Sequence, residues 1–225
     1  KIFKKISLAL PQNTETLKYL KTLGVKKIKF VGNLKYYGQS KKILGENTKQ
    51  GFKKRLIFCA ASTHYNEELF IGKLHNELKS KFKNLLTIII PRHVNRSVSI
   101  INELKGINLN SVSRSSRQKI SKDTDIYIAD TYGEASKFYE LSKITFVGGS
   151  LIKHGGQNPL EPARLGNYIL HGPNIQNFKE VYKMLSELNI SSKVNNINNM
   201  KKIIFRKIEY KQTSKKIKKL NLIGN

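Results

Sequence analysis

The sequence contains no tryptophan, five prolines and a single cysteine, Cys59, among 225 residues. One cysteine excludes an internal disulfide framework and a metal site built from several thiolates, and it fits a reducing, cytosolic setting. No apolar run reaches the roughly 18 residues that a bilayer-spanning helix needs, and no charged start leads into the apolar core of a secretory leader. Any membrane contact is therefore expected to be peripheral. The motifs of several common enzyme classes are also missing. There is no Walker A loop, no G-x-G-x-x-G after the first strand of the main domain, no G-x-S-x-G elbow and no H-E-x-x-H pair. An ordinary NTPase or dehydrogenase is thus excluded, and serine chemistry is poorly supported. Asp123 and Asp125 form no metal-binding cluster with their neighbours, so neither metal nor cofactor is expected.

Acidic residues are scarce as well: 15 Asp and Glu stand against 42 Lys and Arg, a formal charge of +27. Such an excess suits nucleic acid, an anionic membrane surface or a phosphorylated substrate. Lysine, asparagine and isoleucine are abundant throughout, which is also what a compositional bias acting on tolerant surface positions leaves behind. Charge alone does not choose among these readings.

Two stretches differ in organisation. Ser7–Pro11 reads as a short strand, Asn13 as a helix N-cap, Gly24 as that helix's stop, and Ile28, Phe30 and Val31 as a second strand. Residues 36–54 are polar and lysine-rich, like a linker. From residue 55 an alternation sets in. Strands are expected at Leu56–Ala60, Leu85–Ile90, Asp125–Ala129, Ile144–Val147 and Tyr168–Leu170. Helices are expected at about Tyr65–Lys81, Asn95–Leu104, Glu134–Leu141, Pro159–Leu165 and Asn177–Leu188. Continuous apolar strands separated by helices predict an α/β fold, a Rossmann-like, doubly wound parallel sheet. The tail beyond Asn195 reads as helical and solvated.

In such a sheet ligands bind at the carboxyl ends of the strands. Ser62, Thr63 and His64 follow the first strand of the main domain, and Pro91, Arg92 and His93 follow the second. Tyr132, Gly133 and Glu134 follow the third, and Gly148, Gly149 and Ser150 the fourth. Arginine at a strand end suits bidentate phosphate or carboxylate recognition. The glycine pairs at 148–149 and 155–156 allow sharp turns with unshielded N–H groups. Asn158 can then cap a helix whose first residue is Pro159, a site for phosphate. Glu161 has two readings, a capping-box carboxylate bonded back to Asn158 or an acceptor for ribose hydroxyls. His64 is either a capping or core histidine or a contact to an anionic sugar. Glu67 and Glu68 open a helix, where carboxylates complement the dipole. His75 and His171 read as structural.

Taken in order and spacing, these segments resemble the 3-deoxy-D-manno-octulosonic acid (Kdo) transferases. The resemblance rests on Ala61–Glu68, Pro91–His93, Asp130–Glu134, Phe146–Leu151 and Gly155–Ala163, joined by Gly172–Pro173, Asn177–Phe178 and Gly32–Lys35. The sequence departs from that family's pattern at Gln157 where His is usual, at His154 where Arg is usual, and at Tyr65-Asn66 where Glu-Gly is usual. The resemblance implies a GT-B glycosyltransferase, inverting and metal-independent, that moves Kdo from CMP-Kdo to a lipid A precursor at the cytoplasmic face of the bacterial inner membrane. It implies that residues 1–35 end an acceptor domain, that 36–54 link, and that 55–225 bind the donor nucleotide. Nucleotide contacts are then expected from Pro91, Arg92, Tyr132, Gly133, Glu134, Asn158, Pro159, Leu160 and Glu161. Sugar contacts are expected from Ser62, Thr63, His64, Gly149 and Ser150. No catalytic residue is expected in this chain, because that family keeps its general base in a glycine-rich motif of the N-terminal domain. The chain starts at Lys1 without an initiator Met and is expected to be part of a longer protein, inactive alone. The alternatives are a UDP-sugar enzyme of the same fold and a basic nucleic-acid-binding protein. The second fits poorly, since the most specific motifs are glycine-rich and nearly neutral.

Overall fold

The computed structural model describes residues 2–11, 14–30 and 50–221. The chain divides into two compact units, Lys1–Gln39 with Lys218–Asn225, and Ser40–Ile217. In the first unit α1 spans Thr14–Thr22 and ends before Gly24, whose φ of 80° is the left-handed stop that glycine supplies. The strand expected at Ser7–Pro11 reduces to one parallel bridge between Ala9 and Ile28. Asn13, the segment Gly32–Lys35 and most of the expected linker lie outside the described residues.

The second unit holds a seven-stranded, wholly parallel sheet. Its elements are β1 Leu56–Thr63, α2 Glu67–Lys79, β2 Leu85–Pro91, α3 Ser97–Lys105, β3 Ser111–Ser113, β4 Ile126–Ile128, α4 Ala135–Leu141 and β5 Ile144–Val147. They continue with α5 Leu160–Arg164, β6 Tyr168–His171, α6 Lys179–Glu187, β7 Ser191–Lys193 and α7 Ile197–Lys207; the residues of α8, Ser214–Asn221, are divided between the two units. The strand order is β3-β4-β2-β1-β5-β6-β7. The Rossmann-like α/β expectation holds. The two edge strands were not legible, because Ser111-Val112-Ser113 and Ser191-Ser192-Lys193 are short and polar.

The apolar strands serve both faces at once. Along β1, Phe58 and Ala60 point to one core with Ile71, Leu74 and Leu78 of α2, Ile100 and Leu104 of α3, and Met200 and Ile204 of α7. Ile57, Cys59 and Ala61 point the other way, into a second core with Phe138 and Tyr139 of α4. This period-two split of a continuous apolar run marks a sheet covered on both faces. Each aliphatic side chain so buried contributes about 1.5–3 kcal/mol. Burial pushes the Cys59 thiol up to about 12, so it is packing, not a nucleophile.

The amino edge of the sheet is pinned by side chains. Arg55 donates from Nε to Asn84 O at 3.0 Å, and from its two terminal nitrogens to Ser121 O at 3.1 Å, Leu85 O at 2.8 Å and Thr124 O at 2.7 Å. Asp125 accepts from Lys79 and from the Asn110 amide. Buried His75 meets Thr87 Oγ1 at 2.9 Å, and His171 meets Gly172 O at 2.7 Å. Both histidines sit where the sequence reading placed them, in structural roles.

Candidate functional site

The strand order reverses between β1 and β5: the chain builds β2, β4 and β3 on one side of β1 and β5, β6 and β7 on the other. In a parallel sheet the crevice at such a switch, beyond the carboxyl ends, is where ligands bind. β1 loses its register with β2 between Ala61 and Thr63, and Ser62 there takes a φ of 53°. This irregularity turns the chain sharply into the loop that carries His64 and the start of α2.

Glu67, the first residue of α2, lies in the crevice at 1% exposure. Its Oε2 accepts from the His64 amide at 3.0 Å and the Gly149 amide at 2.7 Å. Its Oε1 accepts from Ser150 N at 3.1 Å and Leu151 N at 3.0 Å. A Cβ on Gly148 would stand 2.4 Å from Ser62 O and 2.8 Å from Glu67 Oε2, so only glycine lets the two loops approach this closely. The Ser150 hydroxyl donates to Val147 O at 2.6 Å and accepts from Gly172 N at 2.8 Å.

These bonds correct the expectation of unshielded amides at the first glycine pair. The amides of Gly149 and Ser150 are spent on an internal carboxylate. Ser150 is fully buried, with its hydroxyl bonded within the chain. Thr63 is likewise fully buried, with its carbonyl taken by Arg92 N. Glu67 does more than complement a helix dipole. Glu68 too is fully buried, clamped by Arg96 at 2.8 Å from Oε1 and 3.4 Å from Oε2.

His64 stands at the mouth of the crevice, 8% exposed. Its Nδ1 lies 3.1 Å from Ser62 O, which assigns the ring proton to Nδ1, and its buried Nε2 has no partner. The ring centroid lies 4.2 Å from that of His154 and 6.1 Å from that of His93. Burial, then His154, with His93 and Arg92 adding to it, lowers the His64 pKa to about 4. Arg92 and His93 are exposed, and Pro91 pairs with Thr63. The Arg92 guanidinium has no hydrogen-bond or ion-pair partner among the described residues.

Beyond β4 stand Tyr132, 77% exposed, and Gly133 with a φ of 76°. Glu134 follows, and its carboxylate accepts from Arg114 Nε at 3.1 Å, Lys137 Nζ at 2.7 Å and Thr131 Oγ1 at 2.6 Å. Partial burial would raise its pKa, but the bonds from Arg114, Lys137 and Thr131 outweigh that and hold it at about 2. A carboxyl depressed from 4.5 to about 2 lends the fold about 3 kcal/mol above pH 4.5, lost as pH falls towards 2. Urea midpoints for wild type and Glu134→Gln should therefore differ at pH 7 and approach one another as pH falls through about 2. Arg114, just past β3, escaped the sequence reading along with that strand.

Helix α5 begins at Leu160, one residue later than expected, and Asn158 Oδ1 accepts from Leu160 N at 3.0 Å. No capping box forms. The Glu161 side chain is unpaired among the described residues, and burial of the carboxyl by its surroundings raises its pKa. Helices α4 and α5 pack together, and Glu161 lies near enough to Tyr139 of α4 for its charge to be felt there. The structure gathers Ser62, His64, Arg92 and His93 with His154 at the crevice. A cavity of about 480 Å³ lined by Arg114, Arg117 and Lys119, among others, opens beside β3 and β4. Among the described residues no His, Cys, Asp and Glu group could hold a metal ion.

Fold and crevice together define a Rossmann-like domain of the kind found as the C-terminal half of GT-B glycosyltransferases. No family model matches the chain. It is 35% identical over 193 residues to a 3-deoxy-D-manno-octulosonic acid transferase of Haemophilus influenzae, covering 83% of this chain and 45% of that protein. To the transferase of Rickettsia prowazekii it is 31% identical over 198 residues, covering 87% and 43%. The solved C-terminal CMP-Kdo binding domain of WaaA from Acinetobacter baumannii superposes with a TM-score of 0.70 at 28% identity, covering 79% of this chain and 95% of that one. A Staphylococcus aureus MnaA–UDP structure, at 14% identity, TM-score 0.56 and coverage of 92% and 52%, shares the fold. The chain belongs to the family of 3-deoxy-D-manno-octulosonic acid transferases, and it spans less than half the length of these two curated relatives.

Proposed function

We propose that this chain binds CMP-Kdo and serves as the donor half of a Kdo transferase that glycosylates a lipid A precursor. The observation that carries the reading is a pair of free charged groups at the carboxyl edge. Among the described residues Arg92 and Glu161 are both unpaired, whereas Glu67 and Glu134 at the same edge are saturated. Arg92 receives the phosphate, Glu161 accepts from ribose hydroxyls, and exposed Tyr132 offers an aromatic face to the base. Gly133, Asn158, Pro159 and Leu160 shape the backbone around the nucleotide.

Breaking the bond between sugar and phosphate puts negative charge on the leaving CMP and positive character on the Kdo ring. A fixed guanidinium at the phosphate stabilises that separation without reorganising. Deprotonating the acceptor hydroxyl is assigned to a base outside this Rossmann-like unit, so the isolated chain binds donor and does not turn over. The excess of 42 basic over 15 acidic residues supports apposition to an anionic membrane surface, at the cytoplasmic face of the inner membrane. Among the described residues no helix is long and apolar enough to cross a membrane.

Titrating CMP into the isotope-labelled chain tests the reading. Amide shifts are expected at Arg92, Tyr132–Glu134 and Glu161, with UDP and GDP competing weakly. Silence at all of these positions overturns it.

A further inference from the structure

His64 has an unmet need. Its Nδ1 is committed to Ser62 O, while Nε2 is buried and meets no partner. A buried polar atom left unsatisfied is costly, and structures keep few of them outside sites where something binds. The groups that face this ring are almost all basic. His154 approaches from the loop after β5, and Arg92 and His93 from the loop after β2. The one acid nearby is Glu67 of α2, 3.8 Å from His64 Nδ1, and both its oxygens are taken by four amides. Gln157, whose side chain also borders Gly149, is neutral. Among the described residues three imidazoles and a guanidinium therefore share a mouth with one carboxylate whose acceptor sites are already taken, beside the edge to which the nucleotide is assigned.

We infer that His64, with His154 and His93 around it and the phosphate-binding Arg92 alongside, forms a subsite for the carboxylate of the donor's acidic sugar. The inference rests on the CMP-Kdo reading and adds to it the part of the donor that sets an acidic sugar apart from a neutral one. An imidazole neutral in the empty site cannot donate from Nε2; it does so once protonated, and an arriving carboxylate favours that form. Binding of the acidic sugar therefore draws one proton from solvent onto His64. Affinity for the donor falls as pH rises, because the proton becomes harder to recruit.

Calorimetric titration of CMP and of CMP-Kdo into wild type, His64→Ala and His154→Ala decides the matter. His154 is exposed, so its variant probes the site without touching the core. In each variant the ratio of CMP-Kdo to CMP affinity should drop, about tenfold or more for His64→Ala. Wild type should take up about one proton with CMP-Kdo near pH 7, measured in buffers of unlike ionisation enthalpy, and His64→Ala should not. The phosphodiester and carboxylate of CMP-Kdo do not titrate there, so the proton belongs to the protein. An unchanged ratio in both variants overturns the subsite and leaves the nucleotide reading standing. A parallel loss for CMP and CMP-Kdo assigns the cluster to phosphate and also overturns it. Failure of wild type to bind CMP at all defeats the donor reading itself.

Discussion

Replacing Glu67 by alanine is expected to destabilise the sheet-bearing unit by about 3–5 kcal/mol, the cost of breaking a buried charged network by removing one partner. Four amides, of His64, Gly149, Ser150 and Leu151, would lose their acceptor in a place that excludes water. The Ser150 hydroxyl cannot replace it, being already spent on Val147 and Gly172. Equilibrium urea unfolding would show a lower midpoint at an unchanged slope. Glu67→Gln keeps one carbonyl oxygen and should recover part of the loss, while placing an NH2 group against amide donors. A midpoint within about 1 kcal/mol of wild type for Glu67→Ala would mean that the loop holds its shape without the carboxylate.

The second large effect concerns binding alone. Arg92→Ala is expected to weaken CMP by about ten- to a hundredfold, the worth of a charge-assisted bond to phosphate. Thermal stability should hardly change, because the residue is exposed and its guanidinium holds no partner among the described residues. Arg92→Lys should restore charge but not two parallel N–H donors, and so recover only part of the affinity. Glu161→Gln separates ribose from phosphate: it should weaken CMP while leaving binding of inorganic phosphate near the Arg92 side unaffected. Calorimetry on the four proteins checks all of this at once. Equal affinity of wild type and Arg92→Ala for CMP would remove the phosphate role.

The interior strands were legible because each is a continuous apolar run between turn residues, as Thr87-Ile88-Ile89-Ile90 shows. β3 and β7 were not, since a three-residue polar strand at a sheet edge carries no periodic signal. With β3 went Arg114, and with Arg114 the reason why Glu134 is so firmly ionised. The loops that form the site could be named from the sequence, but not the bonds within them. Glu67 reaches amides 82 to 84 positions away, and nothing local distinguishes it from any other acid in a first helical turn. The same holds for the histidines. His64, His93 and His154 have no motif spacing, and only the parallel order β2-β1-β5 brings their loops side by side. At Asn158–Glu161 local rules came within one residue of the observed helix start, yet the capping box they allowed does not form.

Arg55 gathers four carbonyls from the segments that lead into β2 and β4, at the edge of the sheet opposite the crevice. β1, β2 and β4 are thus tied at their roots. Motion that opens or closes the ligand edge must then be borne by the tip loops, as fingers move on a fixed palm, while the strand origins keep their spacing. The crevice can adapt to a ligand without the β1–β2–β4 platform beneath it having to slide.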